Sequence, residues 1–266
     1  MIGTTERLKT WLQHKAGSQR ILNTTGIRDL NEAVELNQSG QGIISSFGNR
    51  EFQAMVGFID MRGFSNAAAG KSPAQVRDIV APFITAVVQV ATRHECFIDK
   101  SIGDEVMVVM PWFERDTILS DARMPNRQIP EIDLTCLCAD LIRDLNARAP
   151  DVRFSAGFAF GSLILDRVGA EDYGEWTVYG NCVNAAKRLQ SRPPAEPWNG
   201  QHIIAIGALE SEKPNYQKYL ETWMQCIAPV GGPLEFLSPT IGKELFKGVG
   251  SVAFIHSPID LRSVPQ

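Results

Sequence analysis

Between Phe52 and Pro111 the hydrophobic pattern changes period twice, which restricts the chain to a fold that mixes sheet and helix. The segment AMVGFID, Ala54–Asp60, is largely apolar and suits a buried strand. Ser72-Pro73 then offers a helix cap and a first-turn proline. From there Val76, Ile79, Val80, Phe83, Ile84, Val87, Val88 and Val90 recur at helical spacing through His94. Phe97–Ser101 and Glu105–Pro111 flank Ile102-Gly103-Asp104 and read as a β-hairpin. Two aspartates fall where a strand meets a turn, Asp60 and Asp104. If Val56–Asp60 and Val106–Met110 are neighbouring strands, both carboxylates reach one edge of one sheet. Such a pair suits hard divalent cations, the basis of two-metal chemistry on a phosphate ester.

The rest of the chain extends the same alternation. Ile132–Arg148 reads as a second amphipathic helix stopped by Pro150. Val152–Gly161 and Ser162–Val168 read as two strands, and Trp176–Tyr179 as a short one. Gly180–Gln190 opens a third helix, and a proline-rich loop follows over Arg192–Trp198. His202–Ile206 and Val252–His256 are further strands. The order β-α-β-β-α-β, then helix and strands, predicts a ferredoxin-like α+β core with an antiparallel sheet. This domain is expected over residues 51–266. Residues 1–50, polar and rich in Asn, Gln, Gly and Ser, form an N-terminal extension of helix or loop, with short helices predicted at Glu6–His14 and Ile27–Leu36. Trp112–Pro130 reads as a polar insertion punctuated by prolines.

Bulk properties exclude several function classes. At 266 residues with a formal net charge of −4 and no basic cluster, a charged nucleic-acid-binding face is not expected. The five cysteines are odd in number and scattered; Cys136 and Cys138 lie two apart in a helix and point in different directions. Free thiols in a reducing compartment follow. MIGTTERLKTWLQHK has no apolar core of the signal-peptide kind, and no apolar run reaches the roughly 18–20 residues of a membrane span. A soluble, cytoplasmic protein without membrane contacts is the expectation.

Gly70-Lys71-Ser72, between a strand and a helix, imitates the end of a P-loop. The loop needs a glycine five residues earlier, where Ser65 stands, and Pro73 removes a helix-start amide. Lys71 reads as a solvated loop lysine. Further on, Asn184 and Arg188 are four apart near a helix start and share one face. An exposed pair on an ordinary helix has that spacing, and so does an amide and guanidinium that orient a sugar and hold a phosphoryl group. Lys247 in Phe246-Lys247-Gly248-Val249-Gly250 suits a turn and could also ground phosphate charge.

Four ordered blocks, FIDMRGFS, FIDKSIGDEVMVV, TVYGNCVNAAKRLQS and FKGVG, together resemble the catalytic domain of the class III nucleotidyl cyclases, the adenylate and guanylate cyclase family. The resemblance covers about Phe52–Pro258. It implies that Asp60 and Asp104 bind two divalent cations, Mg²⁺ or Mn²⁺, with the Ile59 carbonyl as an extra ligand. The ribose 3′-hydroxyl would attack the α-phosphate, releasing pyrophosphate and closing a 3′,5′-cyclic nucleotide. Asn184 would orient the ribose, Arg188 would stabilise charge on the α-phosphate, and Lys247 would hold the triphosphate. The family places each site across a head-to-tail dimer, one subunit supplying the aspartates and the other the remaining contacts. This chain carries both sets, which implies a homodimer with two composite sites.

Two departures bear on the substrate. Many relatives carry a triphosphate-binding arginine just before the T-V-x-G block; Ala170–Glu175 holds none, and Arg167 lies further upstream. The base-selecting pair aligns with Lys100 and Thr177, which disfavours guanine, since guanylate cyclases place a glutamate at the lysine. Lysine with threonine is an adenine pattern, but a lysine can equally meet a uracil carbonyl. Trp176 and Tyr179 are bulkier than is common at these positions and suit a smaller pyrimidine. The compact layout also resembles the stand-alone pyrimidine cyclases of bacterial Pycsar anti-phage systems, which implies conversion of UTP to cyclic UMP as a second messenger. ATP to cyclic AMP is the alternative, and a non-catalytic nucleotide-binding module or a P-loop hydrolase the further ones.

Overall fold

The computed structural model describes residues 51–94, 96–111, 130–170, 173–194, 198, 200–230 and 233–262. The readings made for residues 1–50 and for the insertion over 112–129 lie outside the described residues. The first unit runs β1 (Glu51–Met61), α1 (Phe64–Ala68), α2 (Pro73–Arg93), β2 (Phe97–Ile102) and β3 (Glu105–Pro111). The second runs α3 (Pro130–Arg148), β4 (Phe154–Ala170), β5 (Tyr173–Tyr179), α4 (Asn181–Gln190) and β6 (His202–Leu209). It closes with α5 (Tyr216–Val230), β7 (Leu234–Phe236), β8 (Thr240–Phe246) and β9 (Gly250–Leu261).

One nine-stranded sheet organises the described residues, in the order β2-β3-β1-β4-β6-β9-β7, with β5 added to β4 and β8 to β9. The first four strands have the order and antiparallel pairing of a ferredoxin-like core. The β4–β6 pair departs from the antiparallel expectation and is parallel, because α4 crosses between the two strands. Helices cover both faces. On one, α2, α3 and α5 bury Phe83, Leu134, Leu141, Tyr216 and Trp223 against Met55, Ile59 and Val106. On the other, α4 buries Cys182, Ala185, Ala186 and Leu189 against Val56, Phe58 and Ala159.

The predicted α2 starts as its sequence dictates. Ser72 accepts a hydrogen bond from the Gln75 backbone N–H while the Gln75 side chain accepts from the Ser72 N–H, a reciprocal capping box ahead of Pro73. The groups a P-loop would turn to phosphate are therefore engaged in the cap, and Lys71 is exposed. By length and composition α2 could also cross a bilayer. Here its apolar stripe, including Phe83, Val87 and Val90, faces the core.

One expectation is corrected. Val152–Gly161 and Ser162–Val168 are not two strands: β4 runs unbroken from Phe154 to Ala170. Gly161-Ser162 imitates a turn, but Gly161 pairs with Ala54 and Ser162 with Gln53, so the ladder with β1 carries straight through. The far end of β4 then pairs with β5 from Ile164 onward. Gly161 is small for a different reason, since a Cβ there would strike Glu212 and Cys182.

The seating of α4 depends on Gly157. A Cβ at this position would lie 2.1 Å from the Gln190 backbone nitrogen and 2.4 Å from the Ala186 carbonyl oxygen. Helix backbone therefore rests on strand backbone, an approach only glycine permits.

Candidate active site

Strand alternation decides where Asp60 points. Met55 and Ile59 enter the core beneath α2 and α3, whereas Ala54, Val56 and Phe58 face α4. Asp60 continues the second series and emerges on the α4 side at the strand end. The β1–β3 register sets Asp60 opposite Glu105, which brings the hairpin turn beside it. Ile102 pairs with Glu105, leaving Gly103-Asp104 as a two-residue turn, with Gly103 at φ 64° as its first central position requires. The sequence-predicted aspartates are thus brought together.

Their proximity has an electrostatic cost. Burial pushes the Asp60 carboxyl up to about 7, with further contributions from the Asp104 charge, a hydrogen bond with Asp104 and the Glu105 charge, while Lys187 opposes them. A divalent cation between such oxygens removes this repulsion, so the donor set fits a hard cation. Among the described residues no group of three or more His, Cys, Asp or Glu side chains forms a metal cluster.

Two residues of α4 that sequence reasoning missed complete this edge. Gln190 Nε2 donates to Asp60 Oδ2 at 3.0 Å. Lys187 ion-pairs with Glu105, donates to Gln190 Oε1 at 2.9 Å, and lies 5.5 Å from the Phe58 ring centroid. The three-residue spacing of Lys187 and Gln190 was a visible signal that they share a face.

Asn184 and Arg188 are both exposed. At about 100° per residue, Arg188 lies roughly 160° around the helix from Gln190, which binds Asp60. Within one chain α4 therefore shows Gln190 to Asp60 and carries Arg188 on the far side, with Asn184 between them. Lys247 sits exposed at the tip of the β8–β9 hairpin, in a turn closed by the Val249 N–H on the Phe246 carbonyl at 3.0 Å. Lys100 and Thr177 do converge. The Thr177 hydroxyl donates to Asp99 Oδ2 at 2.9 Å, and Lys100 Nζ lies 3.4 Å from the same oxygen.

The sequence model of the family described as "Adenylate and Guanylate cyclase catalytic domain" matches residues 49–196. That is more than half of the chain. The chain belongs to the class III adenylate/guanylate cyclase family. The cyclase domain is 32% identical over 154 residues to the uncharacterized protein Rv1318c of Mycobacterium tuberculosis, a match covering 56% of this chain and 26% of that protein. It thus spans about a quarter of the length of the curated relatives it matches. Among solved structures it superposes on the adenylyl cyclase CyaB from P. aeruginosa with a TM-score of 0.52 and 17% identity, covering 80% of this chain and 96% of that one. The guanylate cyclase domain of RhGC from Catenaria anguillulae, in complex with GTP, gives 0.51 and 17%, covering 80% and 100%. At these identities the likeness establishes the fold of the cyclase domain.

Proposed function

We propose that this cyclase domain converts a nucleoside triphosphate, UTP in the first instance, to its 3′,5′-cyclic nucleotide and pyrophosphate. The observation that carries the reading is the Asp60–Asp104 pair at the sheet edge, with Asp60 bonded by Gln190 on the helix that also bears Asn184 and Arg188. Asp60, Asp104 and the Ile59 carbonyl would hold Mg²⁺ or Mn²⁺, which would supply charge at the α-phosphate and acidify the ribose 3′-hydroxyl. Asn184 orients the ribose, Arg188 stabilises charge gathering on the α-phosphate, and Lys247 grounds the triphosphate. The opposed bearings of Gln190 and Arg188 support a composite site: one subunit's aspartates face the other's Asn184 and Arg188 in a two-fold homodimer.

Lys100 and Thr177 read the base. A lysine donor meets a uracil carbonyl, and a bulky neighbourhood that includes Tyr179 favours a pyrimidine. ATP is the second reading, supported by the same Lys100–Thr177 pair, whose donor also matches adenine N1. The reading extends to a cytoplasmic enzyme whose cyclic UMP acts as a second messenger in anti-phage defence. A non-catalytic module is disfavoured because both aspartates, Asn184 and Arg188 are all present.

The test is incubation of purified protein with Mn²⁺ and each of the four nucleoside triphosphates, with products identified by mass spectrometry. Cyclic UMP is expected, cyclic AMP would move the substrate to ATP, and no cyclic product from any of them ends the cyclase reading. Asp60→Ala and Asp104→Ala should abolish turnover in protein that stays folded and dimeric.

A further inference from the structure

A β-bulge in β2 carries an inference about how the base is sorted. Ile98 pairs with Val108 and Lys100 with Met107, so Asp99 is one residue in excess of the β3 register. The bulge has two effects. It moves Lys100 opposite Met107, onto the sheet face shared with α4 and Asp60; in an unbroken register Lys100 would fall on the opposite face. It also turns Asp99 inward, where the residue is 1% exposed.

There Asp99 accepts three donors: the Thr177 hydroxyl at 2.9 Å, the Val178 backbone N–H at 3.2 Å, and Lys100 Nζ at 3.4 Å. Burial pushes its carboxyl up, while these same bonds and the Lys100 charge oppose the shift. A hydroxyl has one hydrogen, and Thr177 has given it to Asp99. What remains toward a ligand is an acceptor only.

We propose that Asp99 is a specificity-determining positioning residue, which fixes Thr177 as an acceptor beside the Lys100 donor so that the pair sorts nucleotides by hydrogen-bonding edge. The proposal rests on the cyclase reading and on base contact by Lys100 and Thr177. Adenine and cytosine present a ring-nitrogen acceptor beside an amino donor. Uracil and guanine present a carbonyl acceptor beside a ring N–H donor, with the two places exchanged. A clamped donor and acceptor satisfy one of these edges in a given pose and leave the other with opposed donors and opposed acceptors. By hydrogen-bonding edge, ATP and CTP therefore form one class and UTP and GTP the other, and ring size sorts within each class.

Asp99→Asn reverses the clamp. The Val178 N–H retains the amide oxygen, so the amide nitrogen replaces Oδ2, donates to the Thr177 oxygen and no longer accepts from Lys100. The hydroxyl hydrogen then turns toward the base. The experiment measures kcat/KM for all four triphosphates with full-length protein, unaltered and Asp99→Asn. The ratio between the preferred edge class and the other should fall at least about tenfold. Thr177→Val, which removes the acceptor, should lower the same ratio, and Thr177→Ser, which keeps the hydroxyl, should retain it. This second pair decides the matter if Asp99→Asn does not fold. Equal loss on all four substrates with an unchanged ratio overturns the Asp99 assignment and leaves the cyclase reading intact. No cyclic product from the unaltered protein overturns both.

Discussion

Gly157→Ala adds one methyl at the tightest of the described glycine positions and tests whether α4 is seated backbone on backbone. The new carbon would lie 2.1 Å from the Gln190 nitrogen and 2.4 Å from the Ala186 oxygen, and both obstacles are main chain, so no rotamer change relieves them. Real Cβ contacts do not fall below 3.0 Å, so α4 must withdraw by about 1 Å. Overpacking of this kind costs about 1–3 kcal/mol, and alanine's smaller backbone entropy offsets roughly 0.5–1 of it. Function should suffer more than stability. Asn184 and Arg188 move with the helix, and a displacement of about 1 Å at reacting groups lowers turnover on the order of 100-fold. Urea unfolding at neutral pH measures the first effect, and turnover of the still-folded variant at saturating substrate the second. A variant within about 0.5 kcal/mol of the parent and with full turnover would refute the close seating.

Other perturbations follow from the same structure. His202 and His256 are buried, which lowers their pKa to about 3 and about 4; Arg153 and Arg62 add to the first, and Arg192 and Arg62 to the second. A depressed histidine leaves stability unaffected above the unfolded value near 6.5 and erodes it as pH falls toward the folded values. Relative to a His202→Gln/His256→Gln variant, which shares the opposing contribution of the raised Asp60 carboxyl, the parent should lose about 2–5 kcal/mol more between pH 7 and 4.5, and a variant that loses as much as the parent would contradict the assignment. Mixing inactive Asp60→Ala and Arg188→Ala proteins and allowing subunits to exchange should restore about a quarter of the parent's activity, because half the dimers are mixed and each holds one intact site. Persistent inactivity after demonstrated exchange excludes a composite site. Ser72→Ala should destabilise the fold by about 1 kcal/mol through loss of the cap, as read by thermal unfolding. Lys71→Ala should leave turnover unchanged, whereas a P-loop would lose it.

The fold was legible wherever hydrophobic period and turn chemistry agreed. Ser72-Pro73, the eight apolar residues after it and Ile102-Gly103-Asp104 place α2 and the β2–β3 hairpin within a residue or two of their observed bounds. Gly161-Ser162 misled because local composition favours a turn, whereas pairing with β1 holds that segment extended. The helix Tyr216–Val230 was missed although Tyr216, Leu220 and Trp223 recur at helical spacing and are buried. In the site, Asp60 and Asp104 were visible because each ends a strand at a turn. Gln190 was not, since its role depends on β4 bringing the end of α4 to Asp60 across 130 residues. Asp99 was invisible for a similar reason: a bulge cannot be read from one strand without the register of its partner.

The contact at Gly157 also bears on communication between sites. At Gly157 no side chain lies between helix and strand to absorb a shift, so a displacement there carries α4 as a body, and the bearings of Lys187, Gln190, Asn184 and Arg188 move with it. In the proposed dimer this helix is a wall common to two sites, attached through Gln190 to the aspartate of one and lending Arg188 to the other. A ligand that draws Asp60 toward itself therefore shifts Arg188 in the neighbouring site, and the effect is returned in equal measure when the second ligand binds. Substrate binding should depart from a simple hyperbola, and Gln190→Ala, which cuts the attachment, should bring it back.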